Sequence, residues 1–137
     1  MAKSGVFGWH ELMTSDVEGA KAFYGATLGW TFNEIKMGLS TYWLAKSNGR
    51  PAAGFVDMGR GATAGTPPHW FSYIMVDDIE ARVAAIEASG GKVQRAPFAV
   101  GGIGRIALVS DANGADLGLM QRGLPGKGTE VIGEEAA

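Results

Sequence analysis

Cysteine is absent from the 137 residues, which removes disulfides, thiolate nucleophiles and cysteine-ligated zinc from consideration. Histidine occurs only twice, at His10 and His69, and neither has a carboxylate at a recognisable ligand spacing. Ser15, Ser40 and Ser110 lack a partner histidine at any recognisable spacing, so a Ser-His-Asp hydrolase has no support. Positive charge is scarce and unclustered: 12 Lys and Arg stand against 14 Asp and Glu, a net charge of -2, so neither nucleic acid nor an anionic membrane is an expected partner. No apolar run approaches the roughly 18 residues that span a bilayer, and MAKSGVFGWHELM has no apolar run of signal-peptide length. A soluble, cytoplasmic protein acting on small molecules is the expectation. AVGGIGR has Gly-x-Gly spacing but no helix pattern behind it, so it reads as a hairpin loop rather than a phosphate cradle.

Hydrophobic residues make up 46% of the chain and charged residues 19%, enough apolar material for the core of one globular domain. Val6 to Met13 mixes aromatic, apolar and polar residues at short range and predicts a strand. Thr14, Ser15 and Asp16 are N-cap candidates for a helix in which Val17, Ala20, Phe23, Tyr24 and Leu28 form an apolar face and which Gly29 ends. WTFNEI, TYWLA and AAGFVDM follow as a meander, with turns at Met37-Gly38 and Ser47-Asn48-Gly49. GRGATAGTPP reads as a linker or mobile loop.

The same order then restarts. HWFSYIMV predicts a strand, and DDIEARVAAIEASGG a capped helix with Ile79, Val83 and Ile86 on one face. KVQRAPFAV, RIALVSD and ADLGLMQ give three more strands. Laying Asp16 on Asp78 places Trp9 on Phe71, Glu11 on Tyr73 and Met13 on Met75, with Gly29 near Gly90 and Gly91. Both helix caps fall in register over about 60 residues, which indicates an internal duplication. The expected fold is α+β: two βαβββ repeats forming a concave mixed sheet with helices on its outer face. Repeat 1 runs over about 6–58, the linker over 59–68, repeat 2 over about 69–121 and a tail over 122–137, all within one domain.

TSDVEGAKAFYGATLGW, VDDIEARVAAIEASGG and GRIALVSDANGADLGLMQ, in this order, resemble the vicinal oxygen chelate superfamily of glyoxalases, bleomycin-resistance proteins and extradiol dioxygenases. The WHELMTSD opening and the HWFSYIMVDD restart look most like a glyoxalase-like subgroup often built as longer tandem chains. The resemblance implies a divalent metal in a cup, held by His, Glu or Gln from the first strand and Glu from the last strand of each repeat. Those positions fall on Trp9, Gly54, Phe71 and Gly118, none of which offers a donor atom, so a metal-free cup with no cofactor is expected. It also implies a homodimer.

Strand alternation places Trp9, Glu11 and Met13 in the cup and turns His10 and Leu12 towards the helices, so His10 is expected in the core or at an edge. Glu11 is the sharpest candidate for chemistry: a carboxylate among apolar walls is desolvated, its pKa is raised, and it can act as a general base or bind a donor group. Structurally, Glu11 can instead pair with a nearby basic group such as Arg105 or reach the open mouth of the cup, and Arg105 is also counted among the residues expected to line it. Trp9, Phe71, Tyr73 and Met75 are expected to line an aromatic cup suited to a flat small molecule, with Trp43 as a further lining residue or as ordinary sheet packing. Three functions follow: a small-molecule binder anchored by Glu11 and Tyr73; an enzyme, whether a lyase or isomerase with Glu11 as base and Tyr73 as acid, or a lyase or dioxygenase with a displaced metal site; and an interaction module whose cup its own side chains fill.

Overall fold

The computed structural model describes residues 4–37, 40–58, 66–100 and 103–123. Most of the expected linker, Gly101-Gly102 and nearly all of the expected tail lie outside them. The element order is β1 (Val6–Thr14), α1 (Val17–Leu28), β2 (Thr31–Met37), β3 (Ser40–Ser47), β4 (Arg50–Asp57), β5 (His69–Met75), α2 (Ile79–Ala88), β6 (Lys92–Val100), β7 (Gly104–Ser110) and β8 (Asp116–Arg122). Strand, helix and three strands therefore occur twice, as the α+β duplication predicts.

Local chemistry sets the boundaries. The Asp16 carboxylate accepts from the Gly19 amide at 2.9 Å and the Asp78 carboxylate from the Ala81 amide at 3.2 Å, so the two caps that aligned in sequence cap equivalent helices. Gly29 ends α1 at φ 73°, a left-handed conformation that costs glycine little. Asn48 and Gly49, at φ 53° and 81°, make the tight turn between β3 and β4, where a two-residue loop needs positive φ at both positions. Between β7 and β8, Asp111 accepts from the Ala115 and Asn113 amides, which hold its carboxyl below the usual carboxylate range.

The chain divides into two compact units, with breaks after Trp9 and after Phe71. Each therefore takes the opening residues of the first strand of one repeat together with the body of the other repeat.

The unit that runs from His10 to Phe71 orders its strands β2-β3-β4-β1, with β1 and β4 parallel. Leu12, Ala45, Ala53 and Phe55 form its core, against which Ala20 and Tyr24 of α1 pack, with Trp30, Phe32 and Trp43. The apolar face of α1 is narrower than its periodicity suggests. Val17 is buried, whereas Phe23 and Leu28 remain 58% and 56% exposed.

The other unit orders its strands β5-β8-β7-β6, with β5 and β8 parallel. Val76, Ile79, Val83, Ala107, Val109 and Leu119 form its core, with Ile86 packed alongside, so α2 presents the face the sequence predicts. Pro97 sits in the outermost strand, at an irregularity between Arg95 and Phe98, where its missing N–H costs no ladder bond. Ser110 is buried and ties the hairpins together: it receives a hydrogen bond from Gln94 at 2.7 Å and donates one to Asp116 at 2.6 Å. That accounts for Ser110 without any hydrolytic role.

Candidate functional site

Leu12 pairs in register with Phe55 and Glu11 with Gly54. Neighbours on a strand point to opposite faces, so Leu12 and Phe55 turn towards α1 while Glu11 and Gly54 share the other face. Glu11 is only 7% exposed. On β3, Tyr42 pairs with Val56, two residues beyond Gly54, and so lies on the same face as Glu11. The Tyr42 hydroxyl donates to Glu11 Oε2 at 3.0 Å, and the tyrosine is itself buried.

Gly54 makes this arrangement sterically possible. A Cβ built there would overlap Tyr42 Oη and Cζ, so the phenol occupies the space that a side chain at 54 would need. Position 54 was one of the four that the family resemblance assigned to metal binding. Here its place is filled by a hydroxyl bound to Glu11.

Two of the expected lining residues lie elsewhere. Trp43 pairs with Phe55, which puts it on the helix side, and Lys21 of α1 sits 3.4 Å from its ring centroid. Trp43 is thus sheet-to-helix packing with a cation on its π face and not a lining residue. Arg105 lies on the same strand face as Ala107 and Val109 of the core, and its guanidinium pairs with Glu80 of α2. The expected pairing of Arg105 with Glu11 is replaced by Glu80 for the arginine and by Tyr42 for the glutamate. Gln121, in register with Arg105, accepts from the Ile79 amide at 2.8 Å and anchors the start of α2.

In the unit that holds β5 from Ser72 onward, Tyr73 pairs with Gly118 and Met75 with Met120. Ile74 and Leu119 face the core, which leaves Tyr73, Met75, Gly118 and Met120 on the opposite face, beside Ile106 and Leu108 of β7. Tyr73 and Trp9 are each 3% exposed and Met75 is 7% exposed. Met13 and Phe71 are half-buried, both in the unit that contains Glu11.

Trp70, which no sequence argument singled out, is 42% exposed and donates from Nε1 to the Tyr24 hydroxyl at 3.3 Å. Its ring meets Tyr24, Trp30 and Phe55 edge-on, with centroids 5.8 to 6.4 Å apart. His10 is exposed rather than in the core, and His69 is exposed with Nδ1 2.9 Å from the Pro67 carbonyl.

The four positions that the family resemblance assigns to metal ligands hold Trp9, Gly54, Phe71 and Gly118, whose side chains are indole, phenyl or hydrogen and offer no donor atom. Among the described residues no three His, Asp or Glu side chains come together as a possible metal site. What the geometry does offer is a buried carboxylate with a phenolic donor, able to accept from a donor group or to exchange a proton.

The Glyoxalase/Bleomycin resistance protein/Dioxygenase superfamily model matches residues 6–119. The chain belongs to this superfamily. It is 37% identical over 121 residues to CFP32 of Mycobacterium tuberculosis, provisionally named a glyoxylase, an alignment covering 87% of this chain and 46% of that protein. It is 30% identical over 141 residues to the anthracycline biosynthesis protein DnrV of Streptomyces peucetius, covering 94% of this chain and 51% of the relative. The chain thus spans about half the length of the curated relatives it matches. Its fold is that of methylmalonyl-CoA epimerase from Mycobacterium tuberculosis, with a TM-score of 0.61 at 17% identity over 90% of this chain and 93% of the other. No helix among the described residues is long and apolar enough to cross a membrane.

Proposed function

We propose that the protein binds a small organic molecule without a metal, with Glu11 as the polar anchor and apolar and aromatic side chains as the contact surface. The observation that carries this reading is the Gly54 and Tyr42 arrangement. Where a metal-binding relative would need a ligand, this chain has a glycine and a phenol, and the carboxylate beside it is hydrogen-bonded to that phenol. Within the unit that runs from His10 to Phe71, buried Glu11 with half-buried Met13 and Phe71 supports this reading, since few polar groups among apolar contacts are the usual composition of a small-molecule site. Similarity to a protein named for anthracycline biosynthesis supports a small organic ligand.

A thermal-shift screen over flat aromatic small molecules tests this directly. A compound present at 100 times its Kd stabilises the native state by about 2.7 kcal/mol and raises Tm accordingly. The expected result is a hit whose shift is lost in Glu11→Gln. A hit of the same size in Glu11→Gln would remove Glu11 from the site, and a screen without any shift would leave the interaction-module reading in its place.

The Glu11–Tyr42 hydrogen bond also favours a second reading, an enzyme of the lyase or isomerase type in which Glu11 takes a proton from the bound molecule. In that case Glu11→Gln abolishes turnover while binding survives. Unchanged turnover in that variant would exclude it.

A further inference from the structure

Gly54 is not in a conformation that demands glycine: its φ is not positive, so the backbone would accept any L-residue. What excludes a side chain is the Tyr42 phenol, which occupies the volume next to the Cα. A glycine retained inside a strand for space rather than for conformation marks the close approach of another group. Here that group ends in the hydroxyl that donates to Glu11 Oε2 at 3.0 Å.

From these observations we infer that Tyr42 is a positioning residue for Glu11 and that Gly54 exists to admit it. The inference rests on the reading of Glu11 as the ligand anchor and adds what orients and tunes that anchor. A hydrogen bond from a neutral donor to a carboxylate favours the charged form, so Tyr42 holds Glu11 ready to accept. The bond also restrains the carboxyl through Oε2, the oxygen that accepts from the phenol. The chemistry this selects in a ligand is a hydrogen-bond donor, whether hydroxyl, amide N–H or ammonium, presented to a carboxylate already oriented for it. Tyr42 itself need not touch the ligand.

The three residues also act as one steric unit. Enlarging position 54 should have the same consequence for Glu11 as deleting the Tyr42 hydroxyl, although neither substitution alters the carboxylate. No purely local packing role makes that prediction, since Tyr42→Phe retains nearly all of the ring's contacts while removing only the donor.

The test is a carbon-13 NMR titration of the full chain labelled at glutamate carboxyls, with the Glu11 signal assigned by its disappearance in Glu11→Gln. In Tyr42→Phe the Glu11 midpoint should move up by about one pH unit or more, the size expected for losing one hydrogen bond to a charged group. Gly54→Ala should shift it in the same direction while Tyr42 is still present, and the double variant should show no larger shift than the greater of the two. A midpoint unmoved in Tyr42→Phe would overturn the inference, as would Gly54→Ala titrating like the parent. If Gly54→Ala does not fold, Tyr42→Phe decides alone, because it adds no atoms. The measurement uses no ligand, so a failed ligand screen and a failed positioning role remain separate results.

Discussion

Replacing Phe55 with alanine should lower the free energy of unfolding by about 3–5 kcal/mol, the usual cost of deleting a large buried aromatic side chain. Phe55 is 0% exposed and stands in the core with Leu12, Ala45 and Ala53. Four aromatic rings surround it: Tyr24 at 5.8 Å, Trp30 at 6.4 Å, Phe32 at 5.1 Å and Trp70 at 6.3 Å between centroids. Tyr24 and Trp30 are in turn stacked on each other at 5.3 Å, so the rings cannot close over a cavity without breaking contacts among themselves. The effect belongs at the upper part of the range for that reason. Urea unfolding followed by tryptophan fluorescence reads it, since Trp30 and Trp70 both meet the deleted ring. A loss below about 1 kcal/mol, the scale of a well-tolerated conservative change, would mean that this cluster does not organise the core.

Gly54→Leu should cost several kcal/mol by a different route. Its Cβ would overlap the phenol of Tyr42, a buried residue of the neighbouring strand β3. Overpacking alone costs about 1–3 kcal/mol. The phenol must also leave Glu11, and a buried carboxylate that loses a donor adds about 1–3 kcal/mol more. The two terms are coupled, and the diagnostic feature is rescue: Gly54→Leu combined with Tyr42→Ala should recover part of the loss, because the leucine then has room. Calorimetric Tm values for the single and double variants measure it. A double variant that is simply the sum of two losses would contradict the proposed contact.

Much of this fold is legible in the sequence because local chemistry and the global pattern agree. Asp16 and Asp78 can each cap a helix, and only a duplicated unit puts both in register with a strand before them and three after. Asn48-Gly49 can be read as a hairpin turn because few other pairs tolerate positive φ at both positions. Alternation puts Glu11 on the face opposite Leu12, and its burial there is expected from the repeat alignment and the cup that the family resemblance implies.

The site was less legible where alternation gives no answer. In TYWLA, Tyr42 and Trp43 are both aromatic and either could face the core. Only the pairing of Trp43 with Phe55 decides it, and that depends on the register across a hairpin and a bulge. Arg105 failed for a related reason. Its strand parity puts it with Ala107 and Val109, but the partner that fixes it, Glu80, lies on a helix 25 positions earlier. The narrow buried face of α1 is a tertiary effect: the 3.6-residue period admits Phe23 and Leu28, yet these stay exposed while Val17 is buried and Ala20 and Tyr24 pack on the core. The signal that could have found Tyr42 was Gly54, an isolated glycine within an otherwise regular strand pattern.

Central to the proposed function is that this member of the superfamily binds its ligand without a divalent metal. Elemental analysis of protein purified without chelator, by mass spectrometry of the metals it carries, tests it most directly. The account predicts well under one divalent ion per chain, with no change in Glu11→Gln. One ion per chain that survives gel filtration and is lost in Glu11→Gln would contradict it.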